Sequence, residues 1–244
     1  MMTASQAESD LGTDRAGSGW TLAVDTSTAV CVGLARGDQV ISLRDDNPRA
    51  HAEQLMPLVE QACGQAGIAV GQIDQIAVGV GPGPYTGLRV GIVTGHVLAH
   101  LGGTQPHPVC SLDVLALQWV EFGSAPADGF VVATDARRHE LYWARYDGQG
   151  ARLEGPEVGA PDTLPAGVPV GGPGCAARGL EAAAGAPEVL DAGVLAAHWT
   201  KLPDVGIEPL YLRDPDAVVP TTRKATLTPT RLRLPAAMKN RQAR

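Results

Sequence analysis

Hydrophobic and polar positions along this chain switch between a two-residue and a helical period. WTLAVDTS (20–27) is an apolar run closing on turn residues, which predicts a buried strand. AVCVGLARGDQVISLRDD (29–46) predicts two further strands, joined at Arg36-Gly37-Asp38, where Gly and Asp suit a tight hairpin turn. Over residues 50–66 the period changes, with Leu55, Leu58, Val59 and Ala62 at helical spacing. Pro57 removes a hydrogen bond from that helix and is expected to bend it. QIAVGV (75–80) predicts a strand, and the glycine-rich loop of GPGPYTGLRVG (81–91) follows. Thr86 is expected to cap a helix running to about Leu101. PVCS (108–111) reads as a short strand and LDVLALQWVEF (112–122) as another helix.

The first half therefore orders three strands, helix, strand, helix, strand, helix. That order is characteristic of the α/β actin-like (ribonuclease-H-like) two-lobed fold, which sugar kinases and Hsp70 ATPases share; it says little about activity. APADG (125–129) marks a lobe boundary. FVVATDARRHELYWARYDGQG (130–150) predicts a hairpin with a charged turn, and Tyr142 and Trp143 on its second strand are expected to be one core, one more exposed. Residues 151–167, rich in Gly and Pro, read as irregular structure. VPVGGPG (168–174) reads as strand then turn, with two weak helices near 175–184 and 191–202. The second half is thus a reduced copy of the first. The expected organisation is a disordered leader (1–19), an N-terminal actin-like lobe (20–124), a reduced C-terminal lobe (125–217) and a basic, disordered tail (218–244).

Charge changes this picture at one end. The 244 residues carry a net −7, but Arg223, Lys224, Arg231, Arg233, Lys239, Arg241 and Arg244 follow Val218 with no Asp or Glu among them. The tail is therefore +7 and the remainder −14. An acidic body argues against extensive contact with nucleic-acid phosphates, while the tail leaves a narrow opening for one. Cys31, Cys63, Cys110 and Cys175 are scattered, without the spacing of a disulfide framework or a zinc site. The leader lacks the apolar core of a signal peptide, no apolar run approaches a membrane span, and a cytoplasmic protein is expected.

The glycine loop asks whether the protein binds a nucleotide. A P-loop needs GxxxxGK[ST], and here Leu88 follows Gly87. A dinucleotide fingerprint needs GxGxxG, whereas Gly81, Gly83 and Gly87 give GxGxxxG. Pro82 and Pro84 also remove amide donors that a phosphate cradle uses. Further along, Gly87, Gly91, Gly95 and Ala99 recur every fourth residue and share one helix face. Interior glycines cost about 1 kcal/mol each relative to Ala, so another backbone must approach closely. That face packs either on the chain's own sheet or neighbouring helix, or on another chain.

Asp25-Thr26-Ser27-Thr28 occupies the hairpin position where actin-like kinases place Asp-x-Gly, with the glycine missing. Asp25, Ser27 and Thr28 are weak candidates for remnant nucleotide contact; the plainer role of Asp25 and Thr28 is to tie the turn by side-chain bonds to backbone. His96 and His100 are four apart on a helix, a spacing that can bind metal, but no Glu lies between them as in HExxH. Asp135, Arg137, Arg138 and Glu140 form the charged turn, better suited to ion pairs or a partner contact than to a catalytic dyad.

DQIAVGVGPGPYTGLRVGI resembles the signature of the bacterial TsaB family, tRNA threonylcarbamoyladenosine biosynthesis proteins whose usual motif is close to GPGSFTGLRIG. LAVDTSTAVCVGLARGD, HAEQLMPLVEQ, ATDARRHELYWARY and EPLYLRDPDA (208–217) match the family in order, from residue 20 to about 217. Pro84 and Tyr85 stand where the family has a small residue and Phe, and the tail after about Ala225 matches nothing familiar. The resemblance implies an actin-like, non-catalytic scaffold in the assembly that forms N6-threonylcarbamoyladenosine at position 37 of tRNAs reading ANN codons. It implies a heterodimer with the metal-bearing paralogue TsaD and a third component, the ATPase TsaE. No cofactor is implied, tRNA is met through the complex, and a homodimer is possible when the chain is alone.

By the same resemblance the dimer face comprises Leu55, Val59, Tyr85, Thr86, Gly87, Leu88, Gly91, Ile92, Gly95 and Ala99. Replacing Gly91 or Gly95 by Leu is then expected to break the dimer and leave a folded monomer. The transferase's His-x-x-x-His metal pair maps to Ser111 and Leu115 of CSLDVLA, neither able to replace imidazole. Alternatives are a metallopeptidase-like protein, with His96 and His100 as its sole candidate ligands, and a small-molecule kinase or ATPase of the actin-like class, with GGPG (171–174) as second phosphate loop.

Overall fold

The computed structural model describes residues 19–47, 51–121 and 125–213. The expected tail, and the expected leader apart from Gly19, lie outside them.

β1 (Trp20–Asp25), β2 (Val30–Arg36) and β3 (Gln39–Asp45) form the antiparallel meander read from the sequence, turning at Gly37 with φ +56°. α1 (His51–Ala66) follows, with Pro57 inside it. β4 (Ile73–Gly79) and β5 (Pro106–Val109) then add in parallel beside β1, giving the order β3-β2-β1-β4-β5. α2 (Tyr85–Leu101) joins β4 to β5, and α3 (Ser111–Glu121) leads to the second sheet. α2 ends where expected, but it starts at Tyr85 with Pro84 as N-cap and no side-chain cap bond. Thr86 therefore lies inside the first turn and does not cap it.

The second sheet has the order β8-β7-β6-β9, from β6 (Phe130–Asp135), β7 (Leu141–Tyr146), β8 (Arg152–Gly159) and β9 (Val170–Gly171). β8 takes up 152–159 of the stretch expected to be irregular, while 160–167 holds a 3-10 turn (Pro161–Thr163) and irregular backbone. Gly155 (φ +85°) and Pro156 sit where its register with β7 shifts, so residues that read as strand breakers are absorbed by a bulge on an edge strand. The weak helices shorten to α4 (Gly174–Arg178) and α5 (Ala192–His198), the latter followed by a 3-10 turn, Trp199–Lys201. Tyr142 and Trp143 are both buried, since this sheet has apolar cover on each face.

Side-chain size sorts the faces of the first sheet. Leu22, Val24, Val30, Val32 and Leu34 point to α1 and α2, whose Leu55, Val59, Leu88 and Ile92 complete that core. Ala23, Cys31, Ala35 and Ala77 point the other way, into a core shared with α3, α5 and the second sheet. The small residues let α5 lie directly on β2; a Cβ on Gly33 would fall 1.9 Å from the Ala192 carbonyl oxygen. Inside the shared core, Tyr146 Oη donates to Asp113 Oδ1 at 2.8 Å, and Arg152 Nε stands 3.4 Å from the same oxygen. Beyond α5 the segment 207–213 runs back as a strap. Leu210 N donates to Val80 O at 2.9 Å, and Arg213 pairs with Glu140 at the β6–β7 turn.

Candidate functional site

The glycine loop lies over a buried knot of hydroxyls centred on Asp25. Its carboxylate accepts from Ser27 N at 2.8 Å, Ser27 Oγ at 2.6 Å and Ser111 Oγ at 2.6 Å. Ser111 Oγ in turn accepts from Gly81 N at 3.1 Å, and Ser111 N donates to Gly81 O at 2.7 Å. Gly79 is required beside this knot, because a Cβ there would lie 1.8 Å from Asp25 Oδ2. Burial pushes the Asp25 carboxyl above its ordinary value, and the Ser111 and Ser27 donors oppose that shift. Asp25 thus ties the β1–β2 turn, the glycine loop and the start of α3 together. Ser27 is buried in the same knot, whereas Thr28 points to solvent and makes no part of it. Leu115, the other position matched to the transferase's metal pair, is core.

Thr26 answers the glycine-face question. Its Oγ1 donates to Gly87 O at 2.8 Å, from directly beneath the first turns of α2. A Cβ on Gly91 would lie 2.3 Å from that Oγ1, and one on Gly95 would lie 2.4 Å from Val78 Cγ2. The close neighbour is therefore the chain's own sheet. Leu55, Val59, Gly87, Leu88, Gly91, Ile92, Gly95 and Ala99 are all buried against the chain's own core. Leu at Gly91 or Gly95 would consequently disturb the fold before any interface. Of the ten residues assigned to the dimer face, Tyr85 and Thr86 are exposed.

The opposite side of α2 is apolar and exposed. Tyr85, Val93, Val97 and Leu101 are 45%, 60%, 48% and 76% exposed, at four-residue multiples along one stripe with Arg89. His96 and His100 are exposed beside it. At its first end, Tyr211 from the strap stacks on Tyr85 with centroids 4.8 Å apart. The Arg89 guanidinium lies 4.2 Å over the Tyr85 ring, and Arg89 Nε donates to Tyr211 Oη at 3.1 Å. The stripe shares the periodicity that exposed the glycines in the sequence, and the contribution of Tyr211 is foreshadowed only by the EPLYLRDPDA match.

In the second sheet the charged turn is closed by ion pairs, Asp135 with Arg178 and Glu140 with Arg213. Arg137, Arg138 and His139 all adopt positive φ (63°, 48° and 64°), which turns these side chains out to solvent. Among the described residues no group of three or more His, Cys, Asp or Glu side chains converges as a metal site would require, and no helix is long and apolar enough to cross a membrane.

Comparison with known proteins gives a consistent set of relatives. A family model described as TsaD: tRNA N6-adenosine threonylcarbamoyltransferase matches residues 45–173. An uncharacterized protein of Mycobacterium tuberculosis is 40% identical over 204 residues, covering 80% of this chain and 92% of that protein. The tRNA threonylcarbamoyladenosine biosynthesis protein TsaB of Escherichia coli is 33% identical over 129 residues, covering 51% of this chain and 54% of that protein. The matched region thus spans about half the length of this TsaB, and 55% of a relative from Mycobacterium leprae. The solved structure of YeaZ from Pseudomonas aeruginosa superposes with a TM-score of 0.64 at 26% identity, over 80% of this chain and 100% of that one.

Proposed function

This chain belongs to the TsaD family, in its TsaB/YeaZ-like branch, and from that premise we propose that it serves the formation of N6-threonylcarbamoyladenosine on tRNA as a non-catalytic subunit. The observation that carries this reading is the fate of the two positions matched to the transferase's metal pair. Ser111 is held in a buried network by Asp25 and Gly81, and Leu115 is an apolar core side chain, so neither takes the place of a metal-binding imidazole. The Asp25 knot that remains is internal scaffolding: it fixes the glycine loop and hence the start of α2.

What the chain offers outward is the α2 face. The docking partner is a TsaD-type transferase subunit, met by Tyr85, Val93, Val97 and Leu101 rather than by the buried glycine stripe. A TsaE-type ATPase joins the assembly, tRNA is reached through the complex in the cytoplasm, and the same exposed face accounts for a homodimer when the partner is missing. Removal of this chain from its own cell should lower the N6-threonylcarbamoyladenosine content of hydrolysed tRNA, measured by liquid chromatography with mass spectrometry. Restoration by the wild-type chain but not by Val97→Asp supports docking through α2. An unchanged content of the modified nucleoside in cells lacking the chain sinks the reading.

A further inference from the structure

Arg89 is the only Lys or Arg in α2, and the helix contains no Asp or Glu. Its guanidinium is ordered from two sides, by the Tyr85 ring and by Tyr211 Oη. Tyr211 is itself fixed by its stack on Tyr85 and by the bond from neighbouring Leu210 N to Val80 O. An arginine on a helix surface ordinarily loses rotamer freedom when it binds; here much of that ordering precedes binding. Among the described residues no carboxylate pairs with Arg89. Its outer N–H groups form the planar fork that fits a carboxylate with two parallel hydrogen bonds. From Arg89 the stripe runs on through Val93 and Val97 to Leu101, about 18 Å at 1.5 Å per residue. Four-residue ridges of this kind take the ridges of another helix.

We propose that Arg89 is the charged anchor of the docking face, taking an aspartate or glutamate side chain from a helix of the transferase subunit, with Tyr85 and Tyr211 as its positioning residues. This rests on the docking reading above and adds the chemistry that the partner must present: an apolar helix with a carboxylate at the end that meets Arg89. The charge pattern favours a different chain over a second copy. Pairing α2 with α2 about a two-fold axis brings no carboxylate to Arg89, since α2 has none. The strap then belongs to the interface, because it delivers Tyr211.

The test is titration of the full chain with the purified TsaD-type protein of the same organism, by calorimetry at low and high salt. Arg89→Gln should weaken binding about tenfold and flatten its salt dependence. Arg89→Lys, which keeps charge but not the fork, should recover only part of the loss. Tyr211→Ala should weaken binding severalfold with an unchanged melting temperature. If that variant does not fold, Tyr211→Phe keeps the stack, loses the Oη contact and should show a smaller loss of the same sign. Val97→Asp separates the two levels of the argument. If Val97→Asp abolishes binding while Arg89→Gln binds like the wild type, docking stands and the anchor assignment falls. If the wild-type chain forms no complex, both fall. If the chain self-associates through Arg89 in place of binding the transferase, the choice of a different chain as occupant is overturned.

Discussion

The two sides of α2 are built from opposite materials. Toward the sheet lie Gly87, Gly91, Gly95 and Ala99, nearly bare backbone, pressed onto Thr26 and Val78. Away from it lie Tyr85, Arg89, Val93, Val97 and Leu101, large side chains left in water. A surface helix normally has one apolar stripe and one polar face, and a helix apolar all round is a buried one. α2 is half buried by its own chain, and its composition asks for a second cover. The inner face shows how close approach is achieved within the chain; the outer face carries the docking role proposed above.

The largest effect should come from reversing the inner face. Gly91→Leu places a branched side chain where even a Cβ meets Thr26 Oγ1 at 2.3 Å. Overpacking of this kind typically costs about 1–3 kcal/mol. Thermal unfolding should show a clear drop in midpoint, and a variant as stable as the parent would contradict the inward orientation of the glycines. Next in size is the outer face. Val97→Asp should leave stability within about 0.5 kcal/mol, as exposed substitutions do. In a sedimentation assay with the TsaD-type subunit it should weaken association at least about tenfold, the scale of a docking hot spot. A variant that melts early but still binds would exchange the roles of the two faces.

The smallest effect concerns the knot that holds α2 in place. Burial raises the Asp25 carboxyl above its unfolded value, so the folded state retains this proton where the unfolded chain has lost it. The stability tied to that proton is full below the unfolded value, about 4, and is lost as pH rises through the folded one. Asp25→Asn removes this loss. Its stability relative to the parent should therefore be greater near about pH 8 than near about pH 4, by chemical denaturation. A difference that does not change with pH would mean that the carboxyl titrates alike in both states.

Much of this was legible in the chain itself. Period and turn chemistry placed β1 to β3, α1, β4, α2, β5 and α3 in order, because each is long or sharply punctuated. β8 was hidden because RLEGPEVG contains the residues that break strands elsewhere; only pairing with β7 shows that its bulge tolerates them. Periodicity also showed that Gly87, Gly91, Gly95 and Ala99 share a face, but a period has no inside or outside. The direction was set by Thr26, distant in sequence, whose hydroxyl reaches Gly87 O. Ser111 and Asp25 are 86 positions apart, so local spacing gives no sign of their bond. Arg89 and Tyr211, 122 apart, were invisible as a pair for the same reason.

The return of α5 to β2 also sets an order of events for a chain made from its N-terminus. β1 to β3 emerge first, yet the face bearing Ala23, Cys31 and Gly33 is covered by residues near 190–196, with Cys31 Sγ meeting Leu190 O across 159 positions. Until those residues leave the ribosome, the meander has one apolar face open, however well α1 and α2 have closed the other. Contacts so distant in sequence form slowly, and sheets with open faces are prone to associate wrongly in the meantime. The small side chains on that face reduce the apolar surface left waiting, so the residues that let α5 lie close in the finished protein also shield the unfinished one.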